Sequence, residues 1–364
     1  MGIQDVNDDW FVIEPPDPPN QGILFVNHET NGRSGHLGHA LVEYAPGKIL
    51  AFYPNCSDAN EGHNGDGWME YKRSEDGGRT WSEPQTLAYS KQKYDSDNRR
   101  SVLCEKAVLT DDGAILLFNF ECENIPERQF QWQPIGVPTL LRSTDGGITW
   151  EAPRPMGDEP GRIFDAIVHD GVILVLELYN DKKHGNNNLP VHHYSLYAST
   201  NDGRTFHRRS VLPFAVEGRL YGTLAILTDG SLIAYIYNIA DEKHLEYVIS
   251  QDGGESWSEV RTTYFAKQIR NPQMAAFKDR YVLHGRSGSF GEEGAKGHFV
   301  LYTSSDGIHW DEGRYLQMRT AGNGAYSNNL LVRDVQNGLP IRLLIQASHA
   351  YDAAKTNVMH WWLK

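Results

Sequence analysis

Several residues in this chain have the types and spacing to do chemistry on an anionic ligand. Arginines recur just ahead of apolar runs, as Arg162 in "GRIFDA", Arg219 in "EGRLYG" and Arg270 in "IRNPQM", and Arg286 stands in "HGRSG". A guanidinium presents a planar fork of donors that matches a carboxylate or sulfate bidentately, so several converging on one point would make an anion grip. His36 and His39 lie three apart in "SGHLGHALVEY", and a histidine at neutral pH is a ready general base. A zinc site from His36, His39 and His63 is a further arrangement of the same residues. In "ERQFQWQP", Trp132 has the flat apolar face that stacks on a sugar ring. The loop from Asn180 to His193 is polar and offers hydrogen bonds.

Composition bounds what these residues serve. The chain has 364 residues and a formal charge of −13, which argues against non-specific binding to DNA or RNA, whose phosphates need a basic surface. A local basic pocket for an acidic small ligand is compatible with that balance. Gly (35), Tyr (18) and Trp (9) are abundant, which favours a turn-rich β protein. Cys56, Cys104 and Cys122 form neither a disulfide framework nor a zinc spacing and read as buried or free thiols. No stretch reaches the ~18 apolar residues of a membrane helix, so no membrane partner is expected. The first residues show no signal peptide. That leaves a cytoplasmic protein, or a secreted one whose signal has been removed.

The elements that must position the arginines and histidines are written as a repeat. "SEDGGRTW" at Ser74–Trp81 returns as "STDGGITW" at Ser143–Trp150, "STNDGRTF" at Ser199–Phe206, "SQDGGESW" at Ser250–Trp257 and "SSDGIHW" at Ser304–Trp310. With the acid as anchor, these copies read as Asp76, Asp145, Asp202, Asp252 and Asp306. Asp-Gly-Gly makes a turn whose backbone only glycine takes easily, and the carboxylate, serine and threonine can tie that turn together. The octapeptide is thus a folding staple and not a ligand site. Ahead of each copy run two apolar stretches split by a turn, such as "ALVEYAPGKILAFY" and "LAILTDGSLIAYIY", the pattern of a hairpin. Six such units, five with the octapeptide, predict an all-β, six-bladed β-propeller over residues 21–364, with residues 1–20 as an N-terminal extension. The last unit supplies only three strands, so the fourth is expected from the N-terminus, at Gly22–His28. No segment of helical period appears.

Repeated Ser-x-Asp-Gly-Gly-x-Thr-Trp after a four-stranded unit resembles the Asp-box, or BNR repeat, of the sialidase (neuraminidase) superfamily, over about residues 20 to 364. The resemblance implies an active site at the centre of the ring, on the face opposite the Asp-boxes. It further implies an arginine triad on a substrate carboxylate, an aspartic acid and a tyrosine nucleophile paired with a glutamate. Carried over by motif, Tyr326 in "GNGAYSNNLLV" is the nucleophile and Asp66 in "HNGDGWMEYKRS" the acid, with Asp58 second. The chain departs from the family at the triad: the opening of the first unit holds His36 and His39 where an arginine is expected. Tyr221 occupies the glutamate's place, with Glu217 a turn earlier.

The expected activity is that of a sialidase-like glycosidase on a glycan bearing an acidic sugar, with no cofactor and no metal. Asp66, Tyr326 and His39 are the catalytic candidates; His36, Arg162, Arg219, Tyr221, Arg270, Arg286 and Trp132 are the binding candidates. The alternatives are a polysaccharide lyase, in which His39 or Tyr326 takes the C5 proton of a uronate, and a carbohydrate-binding propeller without catalysis.

Overall fold

The computed structural model describes residues 10–15, 22–57, 66–123, 133–134, 136–180, 190–287, 297–318, 321–322, 324–334, 336–338, 340–353 and 355–364. They form six antiparallel sheets in a ring. The inner strands, in blade order, are Ala40–Ala45, Arg100–Leu109, Gly161–His169, Arg219–Ile226, Arg270–Phe277 and Ser327–Arg333. Each blade then runs outward through strands paired in sequence order. The sixth is completed from the N-terminus: Ile23–Val26 pairs with Lys355–Leu363, and Ile13–Glu14 adds a second short pairing to that strand.

Neighbouring blades pack face to face, and one apolar cluster fills each interface. Leu50 and Phe52 of blade one meet Leu103 and Leu117 of blade two. The last interface joins Leu344 and Trp362 of blade six to Ile49 and Tyr53 of blade one. Both faces of each sheet are therefore buried, which is why the second strands read as near-continuous apolar runs rather than alternating ones.

The Asp-boxes staple this ring from the outside of the turns. In the second copy Ser143 Oγ donates to Asp145 Oδ1 at 2.8 Å and accepts from the Gly147 amide at 2.8 Å. Asp145 also takes the amides of Ile148 (3.0 Å) and Thr149 (2.9 Å) and the Thr149 hydroxyl (2.5 Å). Those donors, the Thr149 hydroxyl foremost, hold its carboxyl down to about 2. Gly147 has φ +81, and a Cβ there would lie 2.5 Å from Leu50 Cδ1 of the preceding blade. Gly254 likewise abuts Leu196, and Gly78 abuts Trp362, so each of these boxes fastens its blade to the one before.

Two readings of the sequence change here. In the third copy the anchor is Asn201 rather than Asp202, because the acceptor must stand two residues after the serine: Ser199 Oγ donates to Asn201 Oδ1 at 2.9 Å. A helix, Ala88–Ser96, lies between blades one and two. Its sequence "AYSKQKYDS" buries only Ser90, so no apolar period announces it.

Two outcomes test this account. Ser143→Ala leaves the buried Gly147 amide without its acceptor and should cost about 1–3 kcal/mol in chemical denaturation. Glu177, buried beside Gly161, has its carboxyl pushed by desolvation from 4.5 to about 8. As pH rises from 4.5 to 8 the unfolded chain gives up this proton and the folded one keeps it, so the group's contribution to stability falls across that window. Glu177→Gln should therefore raise Tm at pH 8 relative to wild type by more than at pH 5.

Candidate active site

Four inner strands carry a β-bulge at the same level. The register skips Glu105 between Cys104 and Lys106, Phe164 between Ile163 and Asp165, and Tyr221 between Leu220 and Gly222. In blade five it skips Asn271 and Pro272, and Asn271 sits at φ +50. An extra residue re-aims its side chain, and all four of Glu105, Phe164, Tyr221 and Asn271 line one axial cleft. His39 and Tyr326, each just ahead of its inner strand, complete a set of one residue per blade. The cleft holds about 380 Å³ of space, its open mouth included.

Directly beneath lies a buried polar floor. Lys106 Nζ bonds Asp165 Oδ1 (2.8 Å), Asn328 Oδ1 (2.8 Å) and Gln273 Oε1 (3.1 Å), from blades three, six and five. Asp165 Oδ2 accepts from Thr223 of blade four at 2.6 Å. Asn328 donates to the carbonyls of His39 (2.8 Å) and Glu105 (3.1 Å). All six inner strands or their starts are thus tied to one another at the axis.

Tyr326 stands at the centre of the charged groups. Arg286 lies 5.3 Å from its ring centroid, and Arg162 and Arg270 are within electrostatic reach of its phenol. Its ring meets His36 edge-on at 4.8 Å and Tyr221 at 5.8 Å. Arg162 donates to Tyr221 Oη at 2.6 Å and to Glu105 Oε1 at 2.9 Å. Burial alone would pull the Arg162 pKa down, but Glu105 and Tyr221 reverse it and hold the guanidinium charged. Arg270 donates to Tyr237 Oη at 3.0 Å and pairs with Glu242 at 3.2 Å. Arg286 is 2% exposed, and burial lowers its pKa.

The sequence candidates thus divide. Tyr326, Tyr221, Arg162, Arg270, Arg286, His36 and His39 come together. Arg219 does not join them: it turns over its own blade to Glu246, at 2.6 and 3.3 Å, and to the Glu217 carbonyl at 2.8 Å. Glu217 is exposed. Asp66 is bound through its backbone to Ser57, at 2.8 and 3.0 Å, and lies outside the set of cleft-lining residues. Its charge is felt by the Cys56 and Cys122 thiols, the latter also within reach of Arg162 and Glu105. Trp132, Asp58 and His63 lie outside the described residues.

His39 is neutral and its lone pair is taken. The Phe52 carbonyl can only accept, so the Gln346 atom 2.8 Å from it is the amide nitrogen. That same nitrogen lies 3.0 Å from His39 Nδ1, which must therefore accept, leaving the proton on Nε2. His360 Nε2 completes the set by donating to Gln346 Oε1 at 2.9 Å. Desolvation lowers the His39 pKa to about 4. An imidazole so committed has no basic nitrogen for a C5 proton, which removes His39 as the base of the lyase reading and leaves that role there to Tyr326.

Sequence reasoning missed Glu105, Lys106, Asp165, Gln273 and Asn328. Each is a polar residue within an inner strand, but the strands hold other polar residues too, and spacing does not say which of them face the axis.

The profile of the BNR repeat-like domain family matches residues 47–336. The fold is similar to that of a protein of unknown function from Dyadobacter fermentans, at TM-score 0.70 and 15% identity over 94% of this chain and 97% of that one. It is similar to a Hadza microbial sialidase, at TM-score 0.67 and 17% identity over 93% and 68%. A Penicillium chrysogenum α-L-arabinanase matches at TM-score 0.59 and 13% identity, over 94% and 97%. At these identities the likeness shows the fold, a propeller architecture that also serves glycosidases. No curated protein matches the sequence.

The axial network gives a direct test. Lys106→Met leaves Asp165 as a buried charge without its cation and should cost about 3–5 kcal/mol in equilibrium unfolding. A change below 1 kcal/mol would mean that the hub does not hold the ring.

Proposed function

Because this chain belongs to the BNR repeat-like domain family, we propose that it is a glycosidase whose substrate carries an acidic sugar. The observation that carries this reading is the gathering of Arg162, Arg270 and Arg286 around Tyr326 at the axial cleft. Arg286 is buried and Arg162 and Arg270 are only partly exposed, so little water screens them and an anion gains more there than it would at the surface. Glu105 and Glu242 already partner two of them. Arg162, which itself lines the cleft, and Arg270 and Arg286 beside Tyr326 together supply the field that takes the sugar carboxylate.

In this reading the carboxylate anchors the sugar, and its anomeric carbon is presented to Tyr326. Cleavage of a glycosidic bond passes through an oxocarbenium-like transition state, positive at that carbon. The Tyr326 oxygen serves as nucleophile or as stabiliser of that charge. A neutral phenol suits an anionic substrate because it does not repel the carboxylate. The departing alcohol needs a proton, which the resemblance assigns to Asp66.

A panel of aryl α-sialosides, aryl β-glucuronides and aryl α-L-arabinofuranosides tests the substrate class. Turnover is expected on an acidic member. Turnover of the arabinoside alone would overturn the acidic-sugar reading, and an unsaturated uronate among the products would replace hydrolysis by elimination. On the acidic substrate, Arg286→Met should lower kcat/KM by about 10- to 100-fold, the worth of a charge-assisted hydrogen bond. Tyr326→Phe should lower kcat more than it alters KM.

A further inference from the structure

Two carboxyl groups compete for the proton-transfer role in this cleft, and the fold treats them differently. Asp66 is partly exposed and lies outside the cleft-lining residues, which include the set of six with one from each blade. Glu105 is one of the six. It is the residue that the blade-two bulge ejects from strand register, and Asn328 grips its carbonyl from below. Its side chain is 10% exposed, enough to meet a ligand from the axis and little enough to exclude bulk water.

We propose that Glu105 is the acid/base residue of the cleft, giving its proton to the departing alcohol and regaining one from the attacking water. The assignment rests on the glycosidase reading and replaces Asp66 in it. The Glu105 proton passes to the glycosidic oxygen as the bond from that oxygen to the anomeric carbon breaks. The electron pair of that bond stays on the oxygen, and the alcohol leaves. Water then adds to the anomeric carbon and yields one proton to the Glu105 carboxylate, which restores the acid. The sum is one glycosidic bond and one water exchanged for two hydroxyl groups.

The surroundings of Glu105 suit the cycle. Arg162 occupies Oε1, which orients the carboxyl and assigns the transferable proton to Oε2. Burial raises the Glu105 pKa and Arg162 restrains the rise, so neither protonation state is locked in. The other groups within electrostatic reach are Tyr221, Cys104 and Cys122, all with pKa values raised by burial and therefore neutral at working pH. His39 and Tyr326 stand on the remaining walls, and the Lys106 charge below is met by Asp165.

The test compares leaving groups on whichever acidic sugar the panel identifies. An alkyl glycoside needs a proton to depart; a 2,4-dinitrophenyl glycoside does not. Glu105→Gln should cut turnover of the alkyl glycoside by about 10²- to 10⁴-fold and leave the dinitrophenyl glycoside near wild type. The alkaline fall in kcat should vanish with it, since that limb reports loss of the acid's proton. Glu105→Asp, which keeps a carboxyl, should retain both the limb and the leaving-group pattern, and Tm of each variant guards against misfolding. Equal loss on both substrates with the limb intact would overturn the assignment. So would the selective pattern appearing in Asp66→Asn instead. Wild-type protein inert on the whole panel would overturn the glycosidase reading itself, and the role of Glu105 with it.

Discussion

The ammonium of Lys106 is the constraint around which this molecule is arranged. It is buried at the axis and satisfied by three side chains from three other blades, Asp165, Gln273 and Asn328. A buried cation without such partners costs several kcal/mol, so each blade must sit where its partner atom reaches the axis. Apolar packing between blades is non-directional and would tolerate small rotations of one sheet on the next. The hydrogen bonds at the hub do not, and they fix the level at which the six inner strands begin.

That level in turn decides what enters the cleft. A strand in regular register alternates its side chains between two faces, both of which here are covered by neighbouring blades. A residue that breaks the register escapes that alternation, and four such residues face the axis. The bulges at Glu105, Phe164, Tyr221 and Asn271 sit immediately above the hub residues Lys106, Asp165 and Gln273 or beside Thr223, so the floor and the walls are set by the same few positions. Arg162 is part of this wall and Arg270 and Arg286 stand beside it, so they share Tyr326 while Arg162 holds Glu105 and Tyr221 and Arg270 holds Tyr237 and Glu242.

The ring was legible in the sequence because its signals are local. A serine, an acid and two glycines within eight residues make a turn with no help from elsewhere, and a hairpin needs only two apolar runs and a breaker. The N-terminal strand could be inferred because the sixth unit lacks one. The cleft was legible in part. Arg162 and Arg270 were found because they open inner strands, and Arg286 through the family's arginine triad; Arg219 obeys the first pattern yet turns to Glu246. Glu105 was not singled out, because in "LCEKAVL" nothing says which of two adjacent charges keeps the strand register and which is bulged out of it. The committed lone pair of His39 depends on Gln346, more than three hundred residues away, and no spacing reveals it.

The Asp-box of blade one abuts Trp362, a residue of the strand Lys355–Leu363 that also carries both N-terminal pairings. Every other blade leans on one made earlier in the chain; blade one leans on one made last. During synthesis the ring therefore stays an open arc, with the face of blade one that packs against Leu344 and Trp362 uncovered. It closes only when that strand has left the ribosome. The early N-terminal segment must wait unpaired for the whole of that interval, so this chain completes its core in one late step and not blade by blade.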